Sequence, residues 1–173
     1  MAIKADSSYG EKNIHAGQKG LAAARAIGML TYRGPEGYNL SQQNFEDEND
    51  QPHKLHRATT YQRYQGEKLI KRFDAYSYVT ILNAFDTHDV GRKRGGLEKA
   101  LKRLTMPVLL IGITTDIIFT PNEMKKLSLL IPGAIYEEIS SPFGHDGFLV
   151  EYELLNEKIL SFFKKLNLDN SIF

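Results

Sequence analysis

PVLLIGITTDIIFTPNE, residues 107–123, is the stretch on which the fold turns. After Pro107 the chain runs Val108 to Ile113 without polar alternation, as a strand buried on both faces of a parallel sheet requires. The signature then changes. Thr120 is an N-cap residue, Pro121 suits the first helical position, and Glu123 completes a capping box. Met124, Leu127 and Leu130 or Ile131 supply that helix with a buried face, and Pro132-Gly133 stops it. Ala134 to Ile139 reads as a second strand and SSPFGHDG (140–147) as a loop. A last helix, about Glu151 to Leu166, turns Leu155, Ile159, Phe162, Phe163 and Leu166 inward. Two parallel strands alternating with two helices make an α/β unit.

Upstream the pattern is helical. Residues 1–19 are rich in Gly, Ser, Lys and Asn and read as a loop. From about Lys19 to Tyr32, Leu21, Ala24, Gly28 and Thr31 form a stripe of mostly small residues suited to close helix packing, and Gly34-Pro35 ends the helix. The amide-rich, acidic segment EGYNLSQQNFEDENDQPHKLH (36–56) reads as a solvated loop. Helical spacing resumes near Ala58, with Leu69 and Phe73 four apart and Tyr78, Ile81, Leu82 and Phe85 on one face; a break near Asp74 divides this into two helices. A polar, Gly-rich loop (87–96) leads to a short helix carrying Leu97, Leu101 and Leu104. The expected organisation is therefore a loop (1–19), a helical insertion (20–105) and a strand–helix–strand–helix unit (106–173), with no internal repeat.

Composition narrows the function. The chain has 173 residues, 42% of them hydrophobic, enough for a globular core. With 22 basic and 21 acidic residues the net charge is +1, which argues against a nucleic-acid partner. No cysteine is present, so thiol nucleophiles, disulfides and Cys-based zinc sites are excluded, and a reducing cytoplasm is the expected compartment. No apolar run approaches the roughly 20 residues of a membrane span, and MAIKADSSYG lacks the apolar stretch of a signal peptide.

Chemistry gathers beyond the C-terminal ends of strands in such sheets. Asp116 follows the first strand and His145 the second, in the order acid then histidine in which α/β-hydrolases place the last two members of their triads. Singly, each has a plainer reading, Asp116 as a turn or capping residue and His145 as an exposed loop histidine. Together, the acid would orient the imidazole, and the imidazole would move a proton to and from a nucleophile.

Five segments carry a more specific signal: GLAAARAIGMLTYR (20–33), RATTYQRYQGEKLIKRFDAYSY (57–78), DTHDVGRKRGG (86–96), PVLLIGITTDIIFTPNE (107–123) and IPGAIYEEISSPFGHDGFLVE (131–151). They resemble the homoserine O-acetyltransferase family, and the resemblance extends over nearly the whole chain. The resemblance implies the C-terminal part of an α/β-hydrolase fold, with a helical lid insertion preceding the last two strands. It implies acetyl transfer from acetyl-CoA, as co-substrate rather than bound cofactor, to the hydroxyl of L-homoserine through a covalent acyl-serine. On this likeness Asp116 and His145 are the triad acid and base. Asp146 holds the substrate's amino group and Arg25 its carboxylate, and the lid helices form a homodimer interface. No metal is needed.

One departure is large. The nucleophile elbow and oxyanion loop of the family have no counterpart, and no serine here has glycine at both −2 and +2. The polypeptide alone is expected to be inactive, and the alternative to a split enzyme is a non-catalytic remnant or dimerisation module. Succinyl-CoA as donor or serine as acceptor stays open. GRKRGG (91–96) reads as a solvated loop, with coenzyme A recognition as the alternative, and His53 and His56 offer only half of a metal site.

Overall fold

The computed structural model describes residues 1–11, 13–43 and 56–166. Helices α1 (Gln18–Tyr32), α2 (Pro35–Gln42), α3 (Arg57–Ile70), α4 (Ala75–Asp86) and α5 (Leu97–Leu101) precede strand β1 (Leu109–Ile113). Then come α6 (Pro121–Leu130), strand β2 (Ile135–Ile139), α7 (Gly147–Val150) and α8 (Tyr152–Lys165). The described residues gather into two compact units. One draws on Met1–Thr31 and Tyr38–His88, the other on Tyr32–Gly37 and Asp89–Phe173.

The first unit is helical. Ile3, Leu21, Leu69 and Ala75 form its buried centre, with Tyr9, Ala24, Ile70, Phe73, Tyr78 and Val79 packed against them. Leu21 and Ala24 face inward as the small-residue stripe predicts, but Thr31 is exposed and Met29 is buried in its stead. Gly66 explains how α3 approaches α1, because a Cβ there would lie 2.8 Å from the Ala22 carbonyl oxygen. Residues ahead of α1 are irregular yet tightly held. Two 3-10 turns, Ile3–Ala5 and Tyr9–Glu11, position Asp6 to accept from the Gly20 N–H at 2.8 Å and the Ser8 N–H at 3.0 Å. A carboxylate at the open N–H groups of α1 satisfies a donor and complements the helix dipole, and these hydrogen bonds hold Asp6 below the usual carboxylate range. Asp74 does the same for α4, accepting from the Ser77 N–H at 2.9 Å, so the predicted break becomes a capped helix start.

The segment expected to be a loop throughout 36–56 begins instead as helix α2. Pro35 presets the first helical φ and Glu36 faces the positive end of the dipole. Only Gly37 of this helix is buried, so it lacks an apolar period to betray it. Residues 44–55, including His53, lie outside the described residues.

The second unit contains the sheet. β1 and β2 pair in parallel, Leu109 opposite Ile135 through Ile113 opposite Ile139, with α6 packed on both strands and α8 on β2. The Thr120–Glu123 capping box forms as predicted. Burial on both faces of β1 is not reached: Leu109, Leu110 and Ile111 are half-buried and only Gly112 and Ile113 are buried. The reason is topological, since among the described residues β1 has one neighbour, β2. Lys158 of α8 reaches Glu137 of β2 at 2.9 Å, lowering the carboxyl's pKa and raising the amine's.

Candidate active site

Two strand ends and one helix end build the site, all within the second unit. β1 leads into Thr114-Thr115-Asp116. Asp116 is buried, at 6% exposure, which a carboxylate tolerates only when its oxygens are satisfied. They are: the N–H groups of Ile118 and Phe119 donate to Oδ1 at 2.8 and 3.0 Å, and Oδ2 lies 2.9 Å from His145 Nδ1. The acid is thus fixed from its own loop and offers its second oxygen to the imidazole. With Nδ1 turned to Asp116, Nε2 is the nitrogen left to face a reactant.

His145 sits in a 3-10 turn, Gly144–Asp146, that runs directly into α7; the sequence reading made this segment a plain loop. Gly144 carries φ of 64°, a left-handed conformation natural to glycine. Hydroxyls tie this turn to the end of β1. Thr115 Oγ1 donates to the Ser141 carbonyl at 2.7 Å and accepts from the Gly144 N–H at 2.9 Å. Thr114 Oγ1 accepts from the Ser141 N–H at 3.2 Å. Around the imidazole stand three aromatic rings, Tyr32, Phe119 and Phe148, with centroids 5.8, 5.3 and 5.4 Å away. Such rings set apolar surface beside the base and turn either their negative faces or their positive edges to it.

Of the residues singled out from sequence, Asp116, His145 and Asp146 come together. Asp146 Oδ2 lies 2.8 Å from Arg33 Nε, both side chains being largely buried, at 19% and 26% exposure. The contact is an ion pair rather than an aligned hydrogen bond, because the Nε–H does not point along the line to the oxygen. Arg25 belongs to the first unit, where it lines a small cavity of about 100 Å³ with Gln65, Lys68, Leu69 and Arg72. Three cationic side chains there make a setting that suits a carboxylate. Residues 92–96 of the GRKRGG loop are exposed, with Lys93, Gly95 and Gly96 in left-handed backbone conformations.

Sequence reading passed over Thr115, Arg33 and the aromatic collar. Thr115 could have been found from its place one residue before the acid. Arg33 could not, since no periodicity links the end of α1 to a turn more than a hundred residues on.

No protein-family model matches the chain. Among curated proteins it is 46% identical over 167 residues to the homoserine O-acetyltransferase of Cyclobacterium marinum, a match covering 96% of this chain and 46% of that protein. Among solved structures it superposes on the homoserine O-acetyltransferase from Bacillus anthracis with a TM-score of 0.78 and 22% identity, covering 93% of this chain and 47% of that one. Esterase E22 gives the same TM-score at 17% identity over 93% and 47%. Likeness at those identities shows the shared fold alone. The chain spans about half the length of the curated relatives it matches.

Proposed function

Because the chain belongs to the homoserine O-acetyltransferase family, of which it spans about half a member's length, we propose that it carries the acid, base and acceptor-binding groups of an acyl-transfer site whose nucleophile lies outside these 173 residues. The observation that carries the reading is the Asp116–His145 pair, 2.9 Å apart at the ends of adjacent parallel strands, with Asp116 anchored by two backbone donors.

In this mechanism a serine hydroxyl gives its proton to His145 Nε2 and attacks the thioester carbonyl of acetyl-CoA. His145 returns the proton to the departing coenzyme A sulfur, leaving an acyl-serine. The hydroxyl of L-homoserine then gives its proton to His145 and attacks the ester, and the same proton goes back to the serine oxygen as the acetylated product leaves. Asp116 keeps Nδ1 engaged throughout and stabilises the imidazolium. On the family resemblance Asp146 is the proposed partner of the substrate's ammonium, and Arg25, in the first unit, of its carboxylate.

The working compartment is the cytoplasm, as cysteine-free composition suits; no described helix is long and apolar enough to cross a membrane. Homodimer formation through the insertion helices is part of the proposal, and the exposure of Ile81, Leu82 and Phe85 on α4 (43%, 40% and 74%) supports it.

The test is to co-express this chain with a family half bearing the serine elbow and measure coenzyme A release. Multiple-turnover release that requires homoserine and is lost in His145→Ala supports the reading. Equal activity in the His145→Ala assembly would sink it. Running succinyl-CoA and serine in parallel identifies donor and acceptor, and a pair that forms but never transfers acyl groups favours a non-catalytic module.

A further inference from the structure

Arg33 follows α1 immediately, yet its guanidinium ends beside Asp146 at 2.8 Å. Backbone packing delivers it there. The Gly37 N–H donates to the Pro142 carbonyl at 3.2 Å, and a Cβ on Gly37 would stand 2.7 Å from that same oxygen. Gly34 and Gly144 touch backbone to backbone, so that a Cβ on Gly34 would strike the Pro142 carbonyl and one on Gly144 the Gly34 amide. Residues 32–37 are therefore a strap seated on the turn that carries His145 and Asp146, independently of the ion pair it presents. Among the described residues, Arg33 is the only partner of the Asp146 carboxylate.

We infer that Arg33 is a positioning residue for recognition of the acceptor's amino group: it occupies Oδ2 of Asp146 and leaves Oδ1 as the single oxygen available to an ammonium. The inference rests on the reading of Asp146 as the amine-binding acid. A half-buried carboxylate with no partner would turn towards water and blur the site. A guanidinium seated on a rigid strap fixes one oxygen with a planar, always-charged group.

The experiment uses the assembled protein and two acceptors, L-homoserine and 4-hydroxybutanoate, the same alcohol and carboxylate without the amine. Arg33→Ala is expected to raise KM for homoserine about tenfold, the signature of lost ground-state binding. It should leave KM for 4-hydroxybutanoate and the first-turnover release of coenzyme A unchanged. Arg33→Lys, which keeps the charge but carries it at the tip of a flexible stem, should recover only part of the loss. In an Asp146→Asn background Arg33→Ala should add nothing to KM. An Arg33→Ala variant that raises KM equally for both acceptors, or slows coenzyme A release to the same degree, would show a general prop for the His145 turn and overturn the inference. If Asp146→Asn raises KM for homoserine alone while Arg33→Ala does nothing, the amine reading survives and only Arg33's role falls. If Asp146→Asn is itself indifferent to the amine, the underlying reading of Asp146 falls, and this inference with it.

Discussion

His145 and Asp116 divide their labour by where each is anchored. Asp116 is held by the N–H groups of its own turn, while His145 rides a turn held through Thr115 and Gly144. Replacing Asp116 by Asn keeps the volume but removes the charge that fixes the imidazole tautomer, and should lower kcat of the assembled enzyme by roughly 10³–10⁴-fold. Steady-state kinetics check this, and a loss below tenfold would mean that Asp116 is only a turn residue. Gly144 is a separate case. Alanine there would occupy φ of 64° and drive its Cβ into the Gly34 backbone, costing roughly 1–3 kcal/mol for the dihedral alone. Chemical denaturation should find Gly144→Ala less stable by at least that amount, with the loss shared by no neighbouring alanine substitution on the exposed face of α8. At this scale the pair of catalytic candidates was legible, because strand ends advertise themselves by a stop in an apolar run. The groups around the pair and its neighbour Asp146 were not. Thr115 and Arg33 act through contacts that close only when β1, β2 and the 32–37 strap are brought together, and nothing local marks such contacts.

Helices and strands announced themselves wherever caps and periodicity agreed. The Thr120–Glu123 box and the Asp74 cap follow from short-range chemistry, and strand β1 shows in the apolar run that forms it. Helix α2 did not, since a polar segment with one buried residue has no period to read. Asp6 escaped for another reason: a carboxylate fourteen residues ahead of the amide it caps lies outside the usual N-cap window. Loss of the Thr120 cap in Thr120→Ala should cost about 1 kcal/mol of stability, measurable as a shift in denaturation midpoint at constant slope. The two acidic caps and the Glu137–Lys158 pair add a pH dependence whose sign is determined. Folded-state pKa values of Asp6, Asp74 and Glu137 are lowered. Their contributions are thus fully present above the unfolded carboxylate range and disappear as pH falls below about 4 through the lowered values. Asp6→Asn should flatten the acid limb of a stability-versus-pH curve relative to the parent chain. An unchanged acid limb would mean that the Gly20 contact carries no linkage.

For the molecule as a whole, the decisive feature is the unfilled side of the sheet. Val108 C=O accepts from Ile135 N–H and Thr114 N–H donates to Ile139 C=O. In a strand every second residue turns its polar groups the same way, so Leu110 and Gly112 also face β2 while Leu109 and Ile111 turn their N–H groups to the opposite edge. Among the described residues no strand lies there. Half-buried Leu109, Leu110 and Ile111 and that row of unpaired groups form an open edge of the kind that seeks a partner. This sets apart two questions that the sequence merged: family membership follows from motifs spread along the chain, whereas a finished core and an active centre depend on what covers this edge. Isolated, the 173-residue chain should self-associate as its concentration rises, and its Leu109 and Ile111 amides should exchange with solvent faster than Leu110 and Gly112. Adding a family half that supplies the neighbouring strand should slow Leu109 and Ile111 to the rate of their neighbours and raise the unfolding temperature. Hydrogen exchange read residue by residue makes the comparison. A monomer that unfolds cooperatively alone, with all four amides equally protected, would show that the edge is already satisfied and that no partner strand is needed.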